Sequence, residues 1–154
     1  VSWINDNPPP IDVANWQLVV EGAVKRPYTL TYAQLREMMD VSETAVIDCT
    51  GGWYAEQVWR GVSLAHLLAL AELDDAAASL SVISVTGYQR RFALDQANRY
   101  FLALDVADAP LSHGHGFPLR LVAQDQRGVE WVKWITHLRL NRTSELWQFP
   151  LPLE

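Results

Sequence analysis

The chain has 154 residues, of which 49% are hydrophobic, and its formal net charge is −6. This length fits one domain with a core large enough to need no disulfide or structural metal, and a single cysteine excludes an internal disulfide. The acidic balance disfavours binding to nucleic acid through diffuse positive charge, so any anion site must be a local basic pocket. No apolar run approaches the roughly 20 residues that cross a bilayer, and no secretory signal opens the sequence. A single cysteine is compatible with a reducing cytosol and with an oxidising exterior alike.

The predicted elements begin with an extended N-terminal arm over residues 1–15, which is rich in proline and asparagine. Residues 16–154 are predicted to form a single domain. In its first half, strands are predicted at NWQLVVEG, TLTY and ETAVIDCT. A helix is predicted over YAQLREMM, with Thr31 and Gln34 as a capping box, and a second over LAHLLALAEL, capped by Ser63.

The second half is predicted to consist mostly of strands. They fall at SLSVISVTGY, RRFAL, YFLALDVA, LRLVAQ and EWVKWITHLRL, with a short helix at DQANR. In the last of these strands, alternation places Trp131, Lys133, Ile135, His137 and Arg139 on one face, and Val132, Trp134, Thr136, Leu138 and Leu140 on the core face. The sequence therefore predicts an α+β fold of mixed β-sheets with a few short helices.

The only cysteine, Cys49, lies between a predicted strand and a predicted helix in VIDCTGGWYAEQVWRGVSL. Gly51 and Gly52 permit a sharp turn, which would leave the Cys49 sulfur at the rim of the sheet as a thiolate ligand or nucleophile. A lone cysteine in so apolar a chain is more often a small buried hydrophobe. The spacing to the histidines neither supports nor excludes a cysteine–histidine catalytic pair.

A second feature is the stretch HGHGFPLRLV, in which glycines and a proline separate His115 from Arg120. These residues hold the loop in a non-helical path, so the imidazole and the guanidinium could converge on one anion. His113 and His115 also form an H-x-H pattern, which a metal could use but which is nonspecific. Lys133 lies beside two tryptophans, where a lysine is either paired with an anion or solvated at an edge.

In their order along the chain, DCTGGW, HGFPLR and VKW resemble the sulfite-oxidase-type molybdopterin oxidoreductase domain. Supporting stretches are WQLVVEGAVKRPYTLTYAQL, WRGVSLAHLL and YFLALDVADAPLSHGHGFPLR. The resemblance runs from about Trp16 to Leu140, and it implies the molybdopterin-binding fold of that family. Among its members, the chain looks most like the compact bacterial type, related to the periplasmic methionine-sulfoxide reductase catalytic subunit.

The resemblance implies a molybdenum-molybdopterin cofactor, with molybdenum held by the pterin dithiolene and by Cys49. Cys49 is then both metal ligand and catalytic residue, and Gly51, His115, Arg120 and Lys133 bind the cofactor. Arg60, Arg90 and Arg91 are candidates for the substrate mouth. Arg91 and Tyr88, in the segment that resembles the family's G-Y-x-x-x-F loop, are predicted to join Cys49 in catalysis.

The implied activity is two-electron oxygen-atom transfer, and the predicted substrate is an S-oxide or N-oxide, as a small molecule or a side chain. Sulfite is not the default, because classical sulfite oxidases present several arginines to the anion and continue into a dimerisation domain. The sequence has no haem-attachment motif, iron–sulfur cysteine set or nucleotide-binding glycine loop. A separate or fused haem or flavin membrane protein is therefore expected as redox partner, at an extracytoplasmic or membrane-tethered location. The alternative is a non-catalytic binding or scaffold module of the same fold with an empty or decayed pocket.

Overall fold

The computed structural model describes residues 7–48, 54–126 and 130–146. Within these ranges it contains three short helices, α1 (Tyr32–Glu37), α2 (Leu64–Ala71) and α3 (Leu94–Ala97). The strands are β1 (Gln17–Gly22), β2 (Tyr28–Thr31), β3 (Val41–Asp48), β4 (Tyr54–Ser63), β5 (Ser79–Ser84), β6 (Gln89–Ala93), β7 (Phe101–Val106), β8 (Ala109–Pro110), β9 (Arg120–Val122) and β10 (Ile135–Asn141). No helix in these ranges has the length and apolar character needed to span a bilayer.

The strands form two sheets. The first sheet has the order β2-β1-β10-β5-β6, in which β1 and β10 are parallel and the other pairs antiparallel. The second sheet has the order β3-β4-β7-β8, and β9 also pairs with β7. The predicted fold class, mixed sheets with a few short helices, is confirmed.

The hydrophobic core lies between elements of both sheets. All six residues of β7 are buried, so this strand is covered on both faces, as its nearly unbroken apolar run favours. The indole Nε1 of Trp16 donates to the carbonyl of Ile135 at 3.2 Å, which ties the approach to β1 to the start of β10. This bond adds to the pairing of β10 with β1 and β5.

The predicted helix starts are confirmed. Thr31 and Gln34 form the capping box of α1, and the Ser63 hydroxyl accepts the His66 amide at the start of α2. Both helices end before their predicted limits, and α2 stops where Glu72 takes a φ of 52°. Within the predicted arm, residues 13–15 form one 3₁₀ turn that Asp12 caps.

The ten-residue strand β4 was not predicted, because only a turn was expected between Cys49 and α2. Its polar residues Glu56 and Gln57 are exposed in succession, so the alternation that indicates a strand is missing. Pairing with β3 from Val41↔Gly61 to Asp48↔Tyr54 holds it instead. A β-carbon at Gly61 would lie 1.8 Å from the Leu102 carbonyl oxygen, so β4 approaches β7 as closely as only glycine permits.

The prediction of one strand over residues 130–140 is wrong for its first part, because β10 begins at Ile135. Trp134 has a φ of 52°, which breaks the alternation before the strand starts. Trp131 and Ile135, expected opposite the core face, are buried along with Val132 and Trp134. The predicted core face is confirmed for Leu138 and Leu140, inside the regular strand.

Candidate cofactor site

The connection between β8 and β9, residues 111–119 (hereafter the basic loop), has a defined path. Its 3₁₀ turn, residues 113–115, is capped by Ser112, whose Oγ accepts the His115 amide at 3.2 Å and lies 2.7 Å from His115 Nδ1. Gly116 ends the turn at a φ of 106°, in the left-handed region that favours glycine. The side chain and backbone of His115 are therefore both oriented by one serine.

Arg120, the first residue of β9, is 4% exposed. Its Nη1 donates to the His115 carbonyl at 3.2 Å, and its guanidinium carbon lies 5.4 Å from the Trp59 ring and 5.6 Å from the Trp131 ring. The two indoles meet edge to face at 5.8 Å between centroids. Such cation–π contacts favour the charged guanidinium where water is scarce, so Trp59 and Trp131 are the walls that fix Arg120.

Lys133 contacts the basic loop from a different part of the chain. It belongs to residues 130–134 (hereafter the lysine segment), which precede β10. Its Nζ donates to the Gly114 carbonyl at 2.9 Å and lies 5.3 Å from the Trp134 ring, while a β-carbon at Gly116 would be 3.0 Å from Lys133 Cβ. The lysine stem therefore packs where Gly116 has no side chain.

The structure brings three of the predicted cofactor-binding residues together. Partial burial lowers the pKa of His115, and the positive charges of Arg120 and Lys133 lower it further. The Trp59 ring links the set, because it contacts the His115 ring at 6.4 Å as well as Arg120. An anion at this point would offset the repulsion between the charged Arg120 and Lys133 and would favour the protonated form of His115, so the geometry suits a negatively charged group.

His113 is separate from this cluster. Its Nε2 lies 3.0 Å from Asn7 Oδ1, its ring contacts that of Trp134 at 5.3 Å, and its carbonyl accepts the Trp134 indole N–H at 2.9 Å. His113 and His115 thus have different partners. Across the described ranges, no group of three or more His, Cys, Asp or Glu residues is placed to hold a metal ion.

Tyr88 and Arg91 lie on or beside β6. Tyr88 is half-buried at the turn between β5 and β6. Burial is the main cause that raises its pKa to about 12; the charge of Arg90 lowers the pKa and the charge of Glu130 raises it. Arg91 donates from Nη1 to Thr143 Oγ1 at 3.1 Å, a contact away from the basic loop. The exposed Arg60 lies on β4. The catalytic roles of Tyr88 and Arg91 stay predictions.

Cys49 and Gly51 lie outside the described residues. Their neighbours in sequence are the end of β3 at Asp48 and the start of β4 at Tyr54. The roles of Cys49 as metal ligand and catalytic residue, and of Gly51 as cofactor contact, therefore stay predictions.

Sequence reasoning missed two features of the site. Ser112 stands three residues before His115, which is the spacing of an N-cap, so the capping rule could have indicated it. The ion pair between Arg90 and Glu130 joins residues 40 apart in sequence, and no local pattern predicts it.

Comparison with known proteins identifies the family. The family described as "Oxidoreductase molybdopterin binding domain" matches residues 5–147. The chain belongs to this family. As a molybdopterin-binding oxidoreductase domain, it is 26% identical to the uncharacterized oxidoreductase YuiH of Bacillus subtilis (strain 168), over 86% of this chain and 69% of that protein.

Other relatives of this molybdopterin domain are longer. It is 27% identical to the NAD(P)H nitrate reductase of Hordeum vulgare, over 84% of this chain and 18% of that enzyme. It is 24% identical to the sulfite oxidase of Arabidopsis thaliana, over 88% of this chain and 45% of that enzyme. The domain thus spans less than half the length of these two relatives.

The fold of the molybdopterin domain also matches a solved structure. The sulfane dehydrogenase SoxCD from Paracoccus pantotrophus superposes with a TM-score of 0.82 at 22% identity, over 88% of this chain and 40% of that chain. The predicted sulfite-oxidase-type fold is confirmed by this likeness.

The residues of the site fit the cofactor of this family. Three basic side chains converge at the basic loop, and the buried indole N–H of Trp59, among them, has no hydrogen-bond partner within the described ranges. Buried polar atoms are normally satisfied. A phosphate-bearing pterin, anionic and rich in acceptor atoms, suits these donors.

Proposed function

We propose that this domain binds molybdenum-molybdopterin with His115, Arg120 and Lys133 as its anion-binding side chains. Gly51 adds a backbone contact, and Cys49 is the thiolate ligand of the metal. The observation that supports the proposal is the convergence of the three basic side chains at the basic loop, in a chain whose net charge is −6. A soft thiolate is a suitable ligand for a metal already held by dithiolene sulfurs.

The three side chains differ in what they contribute. Arg120 is fixed between two indoles, so it loses little conformational freedom on binding and presents a planar pair of donors to a phosphate. Lys133 adds a point charge, held at the Gly114 carbonyl. His115, whose pKa is lowered, takes up a proton when the anion arrives.

The proposed reaction is reduction of an S-oxide or N-oxide. The substrate loses its oxide oxygen, two electrons and two protons are consumed, and the products are the sulfide or amine and water. When bound, the cofactor supplies the oxygen-atom chemistry. Because the pKa of Tyr88 is about 12, its phenol is protonated at neutral pH, and we assign it as a hydrogen-bond donor to the oxide oxygen. Arg91 is kept as a proposed catalytic residue from the family resemblance alone, since its described contact is with Thr143.

The electrons are proposed to come from a separate or fused haem or flavin membrane protein. This proposal is supported by the nitrate reductase of Hordeum vulgare, because the chain matches only 18% of that enzyme. The matched domain of that relative is therefore joined to further polypeptide. The extracytoplasmic or membrane-tethered location stays a prediction.

The first test is the molybdenum and molybdopterin content per chain, for protein expressed in a host that makes the cofactor. We expect near-stoichiometric metal and pterin in the wild type. Cys49→Ser should keep much of the pterin and lose the metal, whereas Arg120→Met should lose both, because it removes the anion contact. Arg139→Met is the control, since Arg139 forms an exposed pair with Glu21 on the first sheet.

A loaded wild-type sample then allows the activity to be assayed. S-oxides, N-oxides and, as comparison, sulfite are supplied with artificial electron donors or acceptors. Turnover of an oxide supports the proposed reaction, and turnover of sulfite alone contradicts it. A wild type that takes up neither pterin nor metal in a competent host contradicts the cofactor proposal and favours the non-catalytic module.

A further inference from the structure

A buried ion pair joins the edge of the first sheet to the lysine segment. Arg90, on β6, donates from Nε to Glu130 Oε2 at 2.7 Å, and the two side chains are only 6% and 14% exposed. Glu130 directly precedes Trp131, a wall of the Arg120 site, and stands three residues before Lys133. The ion pair therefore anchors the short stretch of backbone that carries Trp131 and Lys133, two residues of the candidate cofactor site.

The lysine segment is not part of a strand, so other contacts must hold it. Towards the second sheet, the amide of Leu121 on β9 donates to the Val132 carbonyl at 2.9 Å, and towards the basic loop the Trp134 amide donates to the Gly116 carbonyl at 3.3 Å. Towards the first sheet, the Val85 amide donates to the Trp134 carbonyl at 2.8 Å, and Arg90 binds Glu130. The segment is thus held from both sides, and Arg90 supplies the only side-chain ion pair among the described contacts on the sheet side.

A buried ion pair contributes little net stability compared with a well-packed apolar pair, since both charges lose their water. Its charge-assisted hydrogen bond is short and directional, which fixes the carboxylate in one place. The same two charges act on the phenol of Tyr88, one raising and one lowering its pKa, so the predicted catalytic tyrosine lies near the pair. The contribution of the Arg90–Glu130 pair is therefore to hold the lysine segment in one position.

We propose that Arg90 is a positioning residue for the cofactor site. Through Glu130 it fixes the lysine segment, so that Trp131 stacks against Arg120 and Lys133 meets the Gly114 carbonyl. The proposal rests on the proposed function, because the positioned residues are those assigned to the cofactor. From the sequence, Arg90 was only a candidate for the substrate mouth, so the positioning role is new. The neighbouring Arg91 contacts Thr143 and does not share this role.

The test compares Arg90→Met and Glu130→Gln with the wild type for molybdopterin retained per chain after extended gel filtration. We expect each to lose cofactor about tenfold faster, the factor typical when a residue that orients a ligand-binding group is removed. Arg90→Lys, which keeps the charge, should retain more cofactor than Arg90→Met. Arg139→Met, which breaks an exposed pair on the same sheet, should retain cofactor like the wild type.

The double variant Arg90→Met/Glu130→Gln should lose cofactor no faster than the worse single variant, because the two residues act as one unit. Thermal unfolding of the cofactor-free proteins is measured in parallel. Variants that are less stable yet retain cofactor like the wild type would overturn the proposal, as would single effects that multiply in the double variant. If Arg90→Met does not fold, Arg90→Lys and Glu130→Gln decide the question by the same criteria.

The outcomes separate this inference from the proposed function. A wild type that never acquires molybdopterin refutes the proposed function and, with it, the inference. A wild type that carries molybdopterin, with Arg90 and Glu130 variants that retain it equally well, refutes the inference alone.

Discussion

At the scale of single residues, the basic loop depends on Gly116. Its φ is 106°, and a β-carbon there would lie 3.0 Å from Lys133 Cβ. Gly116→Ala should therefore combine backbone strain of about 1 kcal/mol with displacement of Lys133, so that it lowers both the free energy of unfolding and cofactor retention. Urea unfolding and molybdopterin content measure the two effects.

Gly87→Ala is the matched control, since Gly87 also has a positive φ, of 89°, but no atom within 4 Å of the added β-carbon. It should show the backbone strain alone and keep its cofactor. Equal effects of the two substitutions on cofactor content would mean that the contact between Gly116 and Lys133 has no role in the site.

His115 predicts a pH dependence of the cofactor-free protein. Its pKa in the folded state lies below the ordinary value of 6.5, so in the pH range between the two values the unfolded chain binds more protons. Stability contributed by neutral His115 is present above about pH 6.5 and is lost as the pH falls through and below that value. Thermal unfolding from pH 8 to pH 5 should therefore be less pH-dependent in His115→Gln than in the wild type.

Bound cofactor should change the behaviour of His115. An anion beside the imidazole raises its pKa, so binding takes up a proton and the apparent affinity rises as the pH falls. Cofactor retention that is independent of pH between 5 and 8 in the wild type would contradict a place for His115 beside the anion.

The three predicted residues that the structure brings together were indicated by local sequence patterns. His115 and Arg120 stand on one short loop, and Lys133 is marked by two tryptophans, so their pattern is visible along the chain. Arg90 and Arg91 are adjacent, and only the fold separates the one that binds Glu130 from the one that binds Thr143. A choice between two neighbouring arginines depends on which strand face is covered, which local sequence does not contain.

At the scale of elements, an ion pair attaches α1 to β7. Arg36 binds the buried Asp105 through two hydrogen bonds, of 2.8 and 3.1 Å, and the carboxylate raises the pKa of the Arg36 guanidinium. Asp105→Asn should lower the free energy of unfolding by about 2 kcal/mol, the range for hydrogen bonds to charged groups. Urea unfolding of both proteins at neutral pH measures the difference.

Glu72→Gln provides the comparison, because Glu72 pairs with Arg26 on the surface, at 3.4 Å. This change should alter stability by no more than about 0.5 kcal/mol. If Asp105→Asn costs as little as Glu72→Gln, the attachment of α1 does not depend on the ion pair.

Elements were predictable where a local interaction defines them. The caps at Thr31 and Ser63 use side chains next to the helix, and both were found. β4 depends on the distant β7 as well as on its neighbour β3, and the start of β10 depends on the bond from the Trp134 amide to the Gly116 carbonyl. The same sequence stretch would be ambiguous without those partners.

At the scale of the whole molecule, the site takes residues from both sheets. Trp59 and Arg120 belong to the second sheet, whereas Lys133 leads into β10 of the first. Cofactor at a hundredfold excess over its dissociation constant should stabilise the protein by about 2.7 kcal/mol, which raises the melting temperature by roughly 5–10 °C for a chain of this size.

Hydrogen exchange should locate this stabilisation. Bound cofactor should slow amide exchange in the basic loop and the lysine segment. Exchange in α2, which belongs to neither segment, should change little. Arg120→Met should show no rise in melting temperature under the same loading conditions. Protection confined to one sheet would contradict a site shared by both.

The order of strands lay beyond sequence reasoning. Neighbouring strands in sequence usually pair, as β1 with β2 and β5 with β6 do. The insertion of β10 between β1 and β5 pairs it with β1, more than a hundred residues away, and with β5, more than fifty residues away. No local sequence pattern predicts either pairing.

The central place of β10 has a consequence for how the protein is made. A ribosome releases the chain from its N-terminus at a rate of about 5–20 residues per second, so the β1–β2 and β5–β6 hairpins emerge before the strand that unites them. For some seconds each nascent hairpin carries an open edge, which other chains can join. The basic loop and the lysine segment emerge just ahead of β10 and become fixed when it inserts. We therefore expect the proposed cofactor site to be completed only after the residues up to 141 have left the ribosome.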